Sequence, residues 1–299
     1  MTGRWLGAVD RFRNVGYVAV AVGAGVLVPG FGSRLEPLVT PLVILLVYGS
    51  LRGWRFDEVE FASYGSLVAL SLGISYVLLP LGGMRVANAL LADGAVLGFA
   101  VALSVPTTVG SAIIWTRFSG GDVQLATTIS IVSLLLAPVA TPVVLTRLVD
   151  VRAAVPTTAI LVDLLTIIVG GALLAAVVPA RAVPARAVDG GSTLAILLLI
   201  YTSVAGVESA AIDGRVLAAI VVVSVLLLLL GLVATTVCGA GLRLDRARVL
   251  PLFFASSLKN LGIALLVALP FAEPLVVVAI ITYYVVQQLA GAAIADAVT

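Results

Sequence analysis

The chain has no histidine, a single cysteine and a single lysine, and each scarcity excludes something. Without histidine the commonest proton carrier and metal ligand is gone, which argues against haem, zinc and imidazole relays. One cysteine, Cys238, cannot form a disulfide within the chain, and its apolar surroundings read as packing. Charge is scarce as well: 11% of residues are charged and 62% are apolar. A soluble domain carries about 25% charged and about 45–50% apolar residues. With a mean hydropathy of +1.23, the natural solvent for this chain is a lipid bilayer. The net charge of +2 is spread over scattered arginines, so there is no basic stripe for nucleic acid. No enzyme constellation appears: no paired intramembrane carboxylates, no Ser-His-Asp set and no phosphate loop. No metal site, cofactor or catalytic residue is expected.

What is present is a series of apolar runs. A membrane helix needs about 20 mainly apolar residues. Cutting at charges and at Gly/Pro punctuation gives ten candidates, at 14–30, 36–51, 61–80, 88–117, 122–148, 156–178, 192–207, 214–241, 249–270 and 273–295. No small-residue cleavage site follows the first, so it reads as a retained span. The positive-inside rule tests the count. With both termini on one side, that side holds Arg4, Arg11, Arg13, Arg52, Arg55, Arg117, Arg181, Arg186, Arg243, Arg246 and Arg248. The other holds Arg34, Arg85, Arg147, Arg152 and Arg215, a division of 11 against 5. Both termini are therefore expected in the cytoplasm, with the protein integral to the cell membrane.

Two spans are interrupted, the fourth at Val105-Pro106 and the ninth at Ser256-Ser257-Leu258-Lys259-Asn260. Ser111 precedes Asn260 by 149 residues in a chain of 299. Residues 1–150 and 151–299 then read as two five-helix repeats of opposite orientation, within one domain of 299 residues. Each repeat is broken in its fourth helix, the pattern of an inverted-repeat transporter whose site lies where the broken helices meet. The alternative is that Pro and polar clusters fell half a chain apart by chance.

Lys259 is the most informative residue. It lies about ten residues from either end of its span, too deep for easy snorkelling, where a cation costs about 2.5–3.5 kcal/mol on insertion scales. Arginine stays charged, whereas a buried lysine can lose its proton. Either Lys259 serves the site, or it donates to carbonyls of the broken helix and ties the break together; the two roles are compatible. At the first break Pro106 disfavours helix at Val105 and suits the first turn of a new helix. A half-helix should start near Thr107, its N–H groups and positive dipole end aimed inward, with Thr107, Thr108 and Ser111 adding hydroxyls. The next helix carries Gln124, Thr127, Thr128, Ser130 and Ser133, each equally readable as helix packing. Gln287 and Gln288 in the last span need partners in lipid. Asp163 is either buried or one turn from the interface, and the remaining acids fall at loops.

Between Val105 and Pro142 the stretch PTTVGSAIIWTRFSGGDVQLATTISIVSLLLAPVATP resembles the fourth and fifth helices of the bile acid:sodium symporter superfamily. The match is closest to the SBF-like branch. FFASSLKNLGIALL from Phe253, with VVQQLAGAAIA ending at Ala295, resembles that superfamily's ninth and tenth helices. The resemblance implies a ten-helix fold with a panel and a core domain, broken helices crossing in the core, and alternating-access transport of a small organic anion. It implies Ser111 and Ser130 as cation-site oxygens. Lys259 stands where the sodium-coupled members have glutamine, and Asn260 matches the asparagine after it. Two departures stand out. A sodium-site glutamate falls on Ala255, and the asparagine after Ser111's counterpart falls on Ala112. An ammonium at Lys259 would then substitute for one bound cation, giving proton coupling or none.

The expectation is thus an all-α polytopic secondary transporter. Thr107, Thr108, Ser111, Lys259, Asn260 and Gln288 would bind the anion. Ser111, Ser130 and Lys259 would form the cation or coupling site, for sodium or a proton. The rivals are a cation/proton antiporter, against which the lack of intramembrane aspartates speaks, an auxin-carrier-like exporter, and a non-transporting receptor. Substrate identity, direction of transport and oligomeric state have no signature in the residues.

Overall fold

The structure, a computed structural model, describes residues 16–52, 61–149, 155–178, 181–205, 213–271 and 273–298. Arg4, Arg11, Arg13, Arg55 and Arg152 of the charge count lie outside the described residues, as do the first residues of the first expected span and the last of the seventh. Among the described residues the chain is helical, with one isolated β-bridge.

In chain order the helices are α1 (Gly16–Leu27), α2 (Glu36–Leu51) and α3, which runs from Phe61–Gly73 through a π-helical turn, Ile74–Leu78, into Leu79–Leu90. Then follow α4 (Asp93–Ser104), α5 (Val109–Phe118), α6 (Val123–Leu148), α7 (Thr157–Val177), α8 (Ala185–Ala205) and α9 (Gly214–Gly241). The last three are α10 (Arg246–Ser257), α11 (Leu261–Ala268) and α12 (Pro274–Val298). Six of them, α3, α6, α7, α8, α9 and α12, are long and apolar enough to cross a membrane. The rest include shorter apolar helices, among them α1, α2, α4 and α11. Side-chain caps start several: Asp122 accepts from Leu125 N, Asp245 from Arg248 N and Asn260 from Ile263 N.

Three expected boundaries move. The third span was expected to stop at Pro80, but α3 continues to Leu90. The π turn absorbs the proline: Leu79 N–H donates five residues back, to Ile74 O, so the register has changed before Pro80 is reached. Arg85 and Asn88 are thus helical, and α4 begins at Asp93 rather than near residue 88. The seventh span starts at Ala185, not 192, because Asp189, Ser192 and Thr193 line a cavity and do not need a loop.

In packing, α2 lies against α7 and α8, while α4 lies against α12 and α3, and α9 against α10, α12 and α3. Close approach of α4 to α12 depends on Gly98. A Cβ there would come within 2.6 Å of Ala279 Cβ and 2.8 Å of the Val276 carbonyl. Gly98→Val should therefore destabilise by about 1–3 kcal/mol, the usual cost of overpacking. An unchanged melting temperature would show that this contact is not tight.

Candidate functional site

Both expected interruptions are present, and they meet. α4 ends at Ser104, and Val105 is extended (φ −78°, ψ 160°), as a residue before proline prefers. α10 ends at Ser257, and Leu258 is extended (φ −88°, ψ 114°). The two extended segments run antiparallel, with Thr107 opposite Lys259. Thr108 N donates to Leu258 O at 3.0 Å and Asn260 N to Pro106 O at 2.9 Å. Away from water every such group needs a partner, and side chains supply the remainder. Thr107 N donates to Ser133 Oγ at 3.1 Å, Thr107 Oγ1 donates to the Ala255 carbonyl, and Tyr283 OH donates to Ser257 O at 2.9 Å. The Gln287 amide holds the Lys259 backbone from both sides: it accepts from Lys259 N and donates to Lys259 O, each at 3.0 Å.

From this crossing α5 and α11 start as new helices. The first-turn N–H groups of a helix have no intrahelical acceptor, and its N-terminus carries the positive dipole end. Both starts open onto one cavity of about 720 Å³, lined there by Thr108, Val109, Gly110, Ser111, Asn260 and Gly262. Residues of α1, α2 and α8 also line it, with Thr127 and Ile131 of α6 and Tyr284 of α12. Apolar side chains, including Leu46, Ile114, Ile131 and Ile196, fill much of the remaining lining. Arg52, Arg117 and Asp189 also line it.

The expected site residues divide into two groups. Thr108, Ser111 and Asn260 line the cavity. Thr107, Lys259, Gln288 and Ser130 do not; they lie buried behind it. Gln288 supports the lining, donating to Ser111 Oγ at 2.9 Å while its Oε1 accepts from Trp115 Nε1 at 3.1 Å. Ser130 Oγ is buried without a hydrogen-bond partner among the described residues. Lys259 does not face the half-helix that follows Thr107. Its Nζ donates to Ser75 O at 3.0 Å, Ser75 Oγ at 2.8 Å and Val105 O at 3.3 Å. An ammonium gains more at the carbonyl end of α4 than at the positive end of α5, which accounts for the direction. The contacts of Lys259 thus tie the ninth-span break to α3 and to the end of α4, and not to carbonyls of its own helix.

A model of the SBF-like CPA transporter family matches residues 17–299. The chain belongs to that family. Its membership makes the protein a membrane transporter by family, in contact with lipid, and agrees with the sequence resemblance to the SBF-like branch. A comparison with curated proteins gives no match. For this SBF-like protein, sequence reasoning overlooked Arg52, Arg117 and Asp189 as cavity residues, because charges at helix ends look like solvated ones. It also overlooked Ser75 and Tyr76. Their only signal was Pro80, five and four residues on, inside an apolar run.

Proposed function

We infer that this SBF-like protein is a ten-span secondary transporter that moves a small organic anion by alternating access. The span order supports the count: four unbroken or short helices and one broken pair precede residue 150, and the same arrangement follows it. In each half the broken pair is fourth, as inverted five-helix repeats require. The helices α1, α2 and α8 line the cavity together with the crossing, which suits a panel moving against a core.

One observation carries the choice of substrate: the N-termini of α5 and α11 open onto the same cavity. The uncapped first turn of α5, the first-turn N–H groups of α11 other than that of Ile263, which Asn260 caps, and two positive dipole ends favour a carboxylate or sulfonate. The apolar lining suits its carbon frame, and Arg52 and Arg117 add positive charge that Asp189 offsets only in part. Those arginines fall on the side that the charge count assigns to the cytoplasm, so the cavity corresponds to an inward-facing state. A thermal-shift screen of purified protein against carboxylates, sulfonates and matched amines tests this. Saturable stabilisation is expected from the anions, and stabilisation by amines alone would overturn the reading. The second reading, a cation/proton antiporter, draws on the CPA element of the family description. It lacks a carboxylate at the crossing among the described residues.

Sodium should contribute little. Ala255 and Ala112 are fully buried and bring no side-chain oxygen to the crossing, and a hard cation needs several. Melting curves in sodium chloride and choline chloride should coincide. A saturable, sodium-specific rise would show that other oxygens form the ion site.

A further inference from the structure

Lys259 is 2% exposed, and all three of its N–H donors are used. The acceptors are two backbone carbonyls and a hydroxyl, and the Tyr76 ring centroid lies 5.0 Å from Nζ, within cation–π range. No carboxylate pairs with Lys259 among the described residues.

Two prolines explain why these carbonyls are available. In the π turn Leu79 N–H is taken by Ile74 O, so the donor for Ser75 O in the same register would be residue 80. That residue is Pro80, which has no N–H. Val105 O would accept from Val109 N in a continuous helix, but Pro106 holds Val105 extended and α5 starts afresh at Val109. One carbonyl on α3 and one at the end of α4 are therefore stripped of backbone donors at the same place. A hydroxyl and an aromatic face complete the enclosure.

We propose that these groups form a cage for one monovalent primary ammonium, and that Lys259 fills it from within the chain. The cage joins the α3 π turn to the broken α4, so the crossing carries its own fixed cation and requires no free one to close. This inference is independent of the transported substrate and can fail or hold separately from it.

The test is chemical rescue. Lys259→Ala removes the side chain beyond Cβ, leaving room for n-propylammonium. Purified Lys259→Ala should melt roughly 5–15 °C below the wild type, because several charge-assisted hydrogen bonds are lost. n-Propylammonium chloride should restore at least half of that loss saturably, at constant ionic strength set with choline chloride. 1-Propanol, which is uncharged, and tetramethylammonium, which has no N–H donor, should restore none. Lys259→Met keeps the chain length, so it should also melt low but gain nothing from n-propylammonium, its own side chain filling the space. If Lys259→Ala does not fold, Lys259→Met still decides. A wild-type melting temperature in Lys259→Met, or the absence of any n-propylammonium effect on folded Lys259→Ala, would overturn the proposal.

Discussion

Gln287→Met should lower stability by about 2–6 kcal/mol, while Gln288→Met, one residue away, should cost much less and act on binding. Gln287 is 1% exposed and satisfies both the N–H and the C=O of Lys259. A methionine of similar length fills the volume but bonds to neither. Each buried backbone group left unpaired costs about 1–3 kcal/mol, and two are exposed to that penalty at once. At roughly 2–4 °C per kcal/mol, the melting temperature should fall by about 5–20 °C. Gln288 instead bridges Trp115 Nε1 and Ser111 Oγ, which are side-chain atoms with more freedom to adjust. Its replacement should weaken anion affinity through Ser111 and shift melting by only a few degrees. Paired thermal melts of the two variants check this, and equal losses would contradict the clamp.

The contrast between these neighbours shows what the sequence can and cannot convey. Two amides in a membrane span both announce a need for partners, but which partner each finds depends on helix rotation, and adjacent residues differ by about 100° around the axis. The interruptions themselves were legible because their causes are local: Pro106 acts on Val105, and Ser256 to Asn260 break an apolar run. Their meeting was foreshadowed by the half-chain spacing of Ser111 and Asn260. The direction of Lys259 was not legible. It depends on Pro80 stripping a donor from Ser75 in another helix, 184 residues before Lys259 in sequence. The extension of α3 past Pro80 was hidden for the same reason, since a π turn converts a helix breaker into a helix residue. Asp189 and the arginines of the cavity were hidden differently, because a charge at a helix end looks the same whether it meets bulk water or a binding cavity.

Gly110→Asp should abolish anion binding without unfolding the protein. Gly110 is the second residue of α5, lines the cavity, and a Cβ there meets nothing within 4 Å. An aspartate at that position gains about 0.3–1 kcal/mol from the helix dipole, and replacing glycine within a helix removes a further penalty of up to about 1 kcal/mol. The fold should be unharmed or slightly stabilised. The same carboxylate competes for the N–H groups that would receive the substrate and repels it at close range. A like charge about 4 Å away is worth about 1–4 kcal/mol depending on local polarity, or roughly 5- to 10³-fold in affinity. Gly110→Asn has nearly the same shape without the charge and serves as the control. The direct measurement is a titration, by thermal shift, of wild type, Gly110→Asp and Gly110→Asn with the carboxylate or sulfonate that most stabilises the wild type. Saturable binding to the wild type and the Asn variant, lost in an Asp variant that melts no lower than the wild type, is the predicted result. Equal affinity in all three proteins would contradict an anion seat at the paired helix starts.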